Sequence, residues 1–272
     1  MSKTSGIGTE YREKLSKVIN ASKSGITPKT VESVLGVSRQ EAGRLLSRWH
    51  KAGWLQKIKR GFYINIPVES SPGRLAIENP WVVVSNIFSP GYIGGFSAIK
   101  HWDLSEQIFE TIMFFTTKKV NDRHPKYSSL KIHLKTIKES KLFGTKPVWF
   151  DAVKVQVSDP SRTIVDLLDE PALGGGMTVV RDFVQNYLES DHKNIPQLIS
   201  YAEKFGNDAI FKRLGFLLET MEAADEKTLL EIKKKISKGY SKFDPTTTNS
   251  RILRRWNLRV PQSWVEAYDR KK

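Results

Sequence analysis

The chain lacks cysteine altogether, and no apolar run in its 272 residues is long enough to cross a membrane. The absence of cysteine excludes disulfides, thiol nucleophiles and thiolate metal sites, and it fits a reducing compartment. A membrane helix needs ~20 consecutive apolar residues, and a signal peptide needs an apolar stretch that the opening MSKTSGIGTE does not have. We therefore expect a cytoplasmic protein without a membrane partner.

Metal-ligand and catalytic patterns are also scarce. No Ser, His and Asp set is ordered by a known motif, so we expect no catalytic residues. The three glycines of PALGGGM (171–177) lack the lysine and hydroxyl of a phosphate loop and indicate a capped turn between helices. The five histidines never occur at HxH or HxxxH spacing, so we expect neither a metal site nor a cofactor: His50, His101, His124, His133 and His192.

A metal-dependent nuclease would need acidic residues clustered beside an apolar strand. The nearest ExK triplet, 139–141, has Asp122 upstream but falls in a predicted loop. Asp151 and Lys154 lie near a strand without a second acid. An enzyme targeted to DNA, either a nuclease or a phosphotransferase, therefore stays open as an alternative that no motif supports.

Acidic residues are outnumbered. The chain has 29 Asp and Glu against 44 Lys and Arg, which gives a formal charge of +15. Such a charge favours a polyanionic partner. Residues 1–66 carry 13 basic and 4 acidic residues, a net charge of +9, whereas residues 67–272 carry 31 and 25. The polyanion-binding part is therefore expected near the N-terminus.

Three helices are predicted before residue 54. The first spans residues 11–21 with an apolar face, and the second begins at Thr27-Pro28 and stops at Gly36. Ser38 is the predicted N-cap of the third helix, which runs to Gly53. Helical spacing puts the apolar residues of this third helix on one face, which must pack on the first two helices: Ala42, Leu45, Leu46 and Trp49.

The opposite face of the third helix is polar and basic. Side chains of these types read base edges and hold phosphates in a major groove. A solvated helix face is the alternative, and the helix taken alone favours that alternative. The candidate DNA-binding residues on this helix are Arg39, Gln40, Arg44, Ser47, Arg48 and Lys51.

The segment WLQKIKRGFYI (54–64) places two short apolar strands around a cationic turn. The arms alternate as paired strands do, and Gly61 supplies the positive φ of a hairpin turn. A winged helix-turn-helix has this order of elements: two helices, a tight turn, a basic helix and a hairpin. Its hairpin touches DNA beside the recognition helix. Lys57, Lys59 and Arg60 are thus predicted DNA contacts.

Beyond the hairpin the pattern predicts an α+β fold that ends in helices. A boundary is expected at PVESSPG (67–73), dividing a winged helix-turn-helix domain (1–68) from a larger domain (74–272). Strands are predicted at 107–117, 130–137 and 153–157, and residues 81–88 fit either a strand or a helix. A helix capped by Ser158 or Asp159 follows, and further helices are predicted at 178–188, 195–205, 208–221 and 226–237.

The C-terminal region is basic again. Nine Lys and Arg stand against a single acid, Asp244, over residues 233–259. A solvated helix end and loop would explain this charge. A second phosphate contact or a surface for an acidic partner explains it equally well, so both interpretations stay open.

Three segments, taken in order, resemble the AbiEi antitoxins of abortive-infection, type IV toxin–antitoxin systems. They are KRGFYI after a helix-turn-helix, GFSAIKHWDL, and VSDPSRTIVDLLDEPALGGGM. The resemblance implies a winged N-terminal domain that represses its own operon, and a C-terminal domain that counters a nucleotidyltransferase toxin. The positions that match the recognition helix and wing are Gln40, Arg44, Ser47, Lys51, Lys59 and Arg60.

This resemblance implies an antitoxin and transcriptional autorepressor that acts in phage defence. Its expected partners are double-stranded DNA with inverted repeats and the toxin, opposed either directly or through its target. Two copies are expected on repeated half-sites, because a single winged domain buries too little surface for high specificity. Metal-dependent cleavage of plasmid DNA by the pure protein would instead favour the enzyme.

Overall fold

The computed structural model describes residues 8–22, 25–66, 79–127, 130–150, 152–248 and 250–269. Helices and strands are mixed along the chain, and a helical N-terminal region precedes a larger α/β part. The α+β class predicted from the sequence is therefore confirmed. The predicted boundary at residues 67–73 lies outside the described residues.

The N-terminal region contains α1 (Thr9–Ala21), α2 (Pro28–Leu35) and α3 (Arg39–Lys51). The Thr27 hydroxyl accepts a hydrogen bond from the amide of Thr30, and Pro28 takes the first helical position, so α2 begins where its sequence predicts. Gly36 ends α2 with φ +65°, and Ser38 caps α3. These caps fix the tight turn between α2 and α3.

A β-hairpin follows, with β1 (Leu55–Lys59) and β2 (Phe62–Asn65) antiparallel. Gly61 has φ +75°, as the predicted turn requires. The Tyr63 amide donates to the Ile26 carbonyl at 2.9 Å, and the Ile26 amide donates to the Tyr63 carbonyl at 2.7 Å. The hairpin is thereby tied to the start of the helix-turn-helix.

The larger part is built on a six-stranded sheet in the order β5-β6-β4-β3-β8-β7. Helix α4 (Pro80–Phe88) covers one face, and α5 (Gly95–His101) and α6 (Pro160–Asp169) cover the other. The strands are β3 (Gly91–Ile93), β4 (Thr111–Thr116), β5 (Lys126–Tyr127), β6 (Leu130–Thr136), β7 (Thr145–Phe150) and β8 (Val153–Ser158).

A helical layer packs on α6, whose residues 160–168 are all buried. The helices are α7 (Met177–Glu189), α8 (Ile195–Phe205), α9 (Asp208–Thr220) and α10 (Glu226–Lys234). Within α6 the guanidinium of Arg162 donates to Asp166 Oδ1 at 3.1 Å and to the Tyr92 hydroxyl at 2.7 Å. This buried network joins β3 of the sheet to α6.

The basic C-terminal region forms a three-stranded sheet that the sequence analysis did not predict. Strands β9 (Ser241–Lys242), β10 (Arg251–Leu253) and β11 (Leu258–Val260) pair in the order β10-β11-β9, and α11 (Gln262–Asp269) follows. Trp256 is buried against Gly215 of α9, and its indole nitrogen donates to Glu219 at 2.6 Å. The sheet is thus anchored on the helical layer.

The hairpin lies between the two parts of the fold. Leu55 and Tyr63 pack with α1–α3, whereas Ile58 and Phe62 share a core with α4 and the six-stranded sheet. Opposite faces of one hairpin therefore belong to two hydrophobic cores. The predicted division into domains 1–68 and 74–272 stays a prediction.

Candidate nucleic-acid interface

The third helix separates its side chains as the sequence predicts. Ala42, Leu45, Leu46 and Trp49 are buried in a core with Leu15 and Val18 of α1 and Val31 of α2. All six of the candidate DNA-binding side chains on this helix are exposed: Arg39, Gln40, Arg44, Ser47, Arg48 and Lys51. The inner face thus holds the helix rigidly while the polar face meets solvent.

A shallow cavity of about 440 Å³ runs along this polar face. It is lined by Arg44, Ser47, Arg48, Lys51 and Ala52. The Arg48 guanidinium lies 4.5 Å from the centre of the Tyr11 ring on α1, a cation–π contact that orients it. A planar cation held beside such a surface is suited to a phosphate group.

In the described ranges, the cations of the interface are not neutralised by ion pairs. Among the residues that the structure describes, no carboxylate lies within ion-pair distance of the α3 or hairpin cations, which are Arg39, Arg44, Arg48, Lys51, Lys57, Lys59 and Arg60. The α3 residues among them belong to a helix that carries one acid, Glu41. The positive potential is therefore left for an external anion.

The three hairpin cations have different surroundings. Lys57 and Arg60 are exposed. The ammonium of Lys59 lies 6.0 Å from the centre of the Phe88 ring of α4. Burial lowers the pKa of Lys59, and the charge of Lys118 adds to that effect. Lys59 is therefore the least available of the three for a phosphate contact.

The turn of the hairpin lies beside the N-terminus of α2. A Cβ placed on Gly61 would come within 3.9 Å of Pro28 Cδ. Lys29, which follows Pro28, is exposed. The N-terminus of a helix carries partial positive charge and unpaired amides, so this place adds to the cationic surface. The sequence analysis missed Lys29, although its position just after the Thr27 N-cap and Pro28 placed it in the first turn of α2.

Two of the residues considered for an enzyme, Lys141 and His101, pack against aromatic rings. Lys141 belongs to a short 3-10 helix, residues 139–141, and its ammonium lies 3.6 Å from the centre of the Phe205 ring. Asp151 lies outside the described residues. His101 packs between Trp81 and Trp102, and burial lowers its pKa. In the described part of the chain, no group of three or more acidic or histidine side chains is arranged to hold a metal ion.

No helix in the described ranges has both the length and the apolar character needed to cross a lipid bilayer.

Residues 18–66 match the profile of a family described as transcriptional regulator, AbiEi antitoxin. The match covers α2, α3 and the hairpin and confirms the predicted resemblance for the N-terminal region. The two C-terminal segments that also carry the resemblance lie outside the match. No curated protein sequence is significantly similar to the chain.

The fold has a counterpart of known structure. The crystal structure of the RV2827C protein from Mycobacterium tuberculosis superposes with a TM-score of 0.65 at 15% sequence identity. The likeness covers 99% of this chain and 97% of that one, so the two proteins share the arrangement of both parts of the fold.

Proposed function

We propose that this chain is a DNA-binding transcriptional autorepressor that also serves as an antitoxin against a nucleotidyltransferase toxin. The match of residues 18–66 to the AbiEi antitoxin regulators supports the regulatory part directly. The expected cytoplasmic location agrees with an antitoxin that acts on its own operon. The action against a nucleotidyltransferase toxin and the repression of the chain's own operon go beyond what this match supports.

The observation that carries the DNA-binding proposal is the exposed cationic face of α3. Its inner face is fixed by buried apolar side chains, and its outer cations have no acidic partner among the described residues. A rigid helix with free Arg, Gln and Lys side chains fits the major groove. Arg44 and Gln40 are suited to base edges, and Arg48 and Lys51 to phosphates.

The hairpin would contact the DNA backbone beside that groove. Arg60 and Lys57 are exposed, and the turn adjoins the N-terminus of α2, where Lys29 adds a further charge. Contacts of this kind set the register of the protein on the duplex and carry little sequence information. Two copies on inverted repeats would then supply the specificity that one winged unit lacks.

The larger α/β part, placed at residues 74–272, would carry the antitoxic activity. The division of the chain into this part and a DNA-binding unit at residues 1–68 is also part of the proposal. Neutralisation would occur by contact with the toxin or by protection of the toxin's target. Growth rescue on co-expression with a nucleotidyltransferase of the same operon tests this part, and the absence of rescue would contradict it.

DNA binding is tested by gel-shift titration with the chain's own promoter. Arg44→Ala should cost about 1–3 kcal/mol and relax base preference, because it removes a base contact. Arg60→Ala should weaken all sequences alike and reduce the salt dependence. Lys59→Ala should have a smaller effect than Arg60→Ala, since Lys59 lies over Phe88.

Lys126→Ala is the matched control, because Lys126 is an exposed cation of β5 in the six-stranded sheet. Its affinity should equal that of the unchanged protein. If Arg44→Ala and Arg60→Ala both bind promoter DNA as tightly as Lys126→Ala does, the proposed interface is wrong.

A further inference from the structure

The C-terminal three-stranded sheet is a second strongly basic region of the molecule. Residues 233–259 hold nine basic residues and one acid, whereas residues 67–232 hold 19 basic and 22 acidic residues. The one acid, Asp244, is 6% exposed and accepts hydrogen bonds from Thr246 and from the amide of Met177. It therefore does little to neutralise the surface of the sheet.

Most of these cations are free of ion pairs. Lys235 pairs with Glu203 and Arg255 pairs with Glu219. The other seven are exposed and have no carboxylate within ion-pair distance in the described ranges: Lys233, Lys234, Lys238, Lys242, Arg251, Arg254 and Arg259. Like charges gathered in this way repel one another, so a bound polyanion would relieve the repulsion.

The strand register puts cations and apolar groups side by side on the open face. Arg259 pairs with Ile252 of β10 on one side and with Lys242 of β9 on the other. Its chain neighbours in β11, Leu258 and Val260, are buried, so Arg259 points to solvent. Ile252 is 58% exposed in this row.

A tyrosine lies next to this row. Tyr240, just before β9, is 45% exposed. We use the name tail sheet face for the surface formed by Tyr240, Lys242, Ile252 and Arg259. An exposed aromatic ring among cations is the combination with which proteins hold the phosphates and stack the bases of a single strand.

The backbone under the tail sheet face is held by two buried cations of α9. The Lys212 ammonium donates to the carbonyl of Gly239 at 2.5 Å and to the Ser237 hydroxyl at 2.9 Å. The Arg213 guanidinium donates to the carbonyl of Lys242 at 2.8 Å. Buried charges require such partners, so the segment that presents Tyr240 is fixed rather than loose.

We propose that the tail sheet face binds single-stranded nucleic acid. Lys242 and Arg259 would hold the phosphates, and Tyr240 and Ile252 would contact unpaired bases. In a duplex the bases are stacked inside, whereas an exposed aromatic ring can stack on the faces of unstacked bases. This inference does not rest on the proposed repressor function, because α3 takes no part in it.

The test is fluorescence anisotropy of the full chain with labelled single strands about 15 nucleotides long, in RNA and DNA arms of one sequence. Both Lys242 and Arg259 are replaced by Ala, and affinity is measured across salt concentrations. The negative slope of log affinity against log salt should become shallower by about 1.4, since each phosphate contact on a single strand contributes about 0.7 to its magnitude. The stronger arm, RNA or DNA, identifies the sugar that the face prefers.

Tyr240→Ala should weaken binding at least about fivefold through lost stacking, and Tyr240→Phe should retain it. The matched control replaces Lys119 and Lys126, two exposed lysines of the other sheet region, and should leave the salt slope unchanged. Arg44 lies on α3, outside the tail sheet face, so the effect of Arg44→Ala on duplex binding tests the repressor proposal alone and the two proposals can fail separately.

Several results would overturn the inference. One is the absence of saturable binding to either single strand. Another is an equal loss in the Lys119 and Lys126 control, which would mean unspecific attraction to net charge. Binding to vesicles that contain phosphatidylserine, without binding to either strand, would assign the face to a membrane surface instead.

Discussion

Phe62 is the residue whose truncation tests how firmly the hairpin is held. Its side chain is 6% exposed and lies in the core formed with α4 and the six-stranded sheet. The ring also lies against Gly25, where an added Cβ would approach Phe62 Cζ to 2.3 Å. Replacing Phe62 by alanine removes the ring's contacts with this core and with Gly25, and it leaves a cavity. The expected cost is about 3–5 kcal/mol, a large fraction of the 5–15 kcal/mol typical of a folded protein.

The measurement is urea unfolding of Phe62→Ala, followed by circular dichroism and tryptophan fluorescence. Coincidence of the two transitions is needed before the midpoint shift is converted to free energy. Ile108→Ala is the control, because Ile108 is 81% exposed and should change stability by less than about 0.5 kcal/mol. A cost below about 1 kcal/mol for Phe62→Ala would refute the shared core.

Two further changes probe the C-terminal sheet. Gly215→Ala should lower the urea midpoint strongly, because its Cβ would lie 2.1 Å from Trp256 Cζ3, whereas Gly43→Ala in α3 meets nothing within 4 Å and should not. Burial alone would raise the pKa of Asp244, but hydrogen bonds from Thr246 and Met177 and the charge of Arg213 bring it below its usual value. Its stabilisation is therefore present above about pH 4 and lost as pH falls through the folded pKa, so Asp244→Asn should differ more from the unchanged protein at pH 7 than at pH 3. An equal difference at the two pH values would contradict this assignment.

The N-terminal region was the part most readable from sequence. Thr27, Ser38 and Gly36 are residue types that start and stop helices for local reasons, and the structure places them at those points. The apolar spacing of α3 likewise reports a single buried face. Local chemistry therefore sufficed for the helix-turn-helix and for the hairpin turn at Gly61.

The segment 81–88 stayed ambiguous because it is apolar on nearly every side. Val82, Val83, Val84, Ile87 and Phe88 are all buried in α4. This helix contacts the six-stranded sheet, and its core also includes residues of the hairpin. A helix enclosed in this way loses the polar face that would reveal its period.

The shortest of the strands that went unpredicted depend on distant partners. Strand β3 has three residues and is central in its sheet, between β4 and β8. Strands β9–β11 have two or three residues each, and β11 pairs in parallel with β9. Segments this short carry no period that a sequence pattern can display, so the open face of Arg259 could not be foreseen.

The placement of the hairpin affects how the two proposed activities should be separated experimentally. A fragment that stops at residue 66 would keep β1 and β2 but leave Ile58 and Phe62 without the cover of α4. Such a fragment is expected to self-associate through this newly exposed hydrophobic surface. A shift of DNA in a gel would then reflect binding by aggregates. Point substitutions in the intact chain are therefore the better way to assign the proposed repression and the proposed neutralisation of a toxin to separate surfaces.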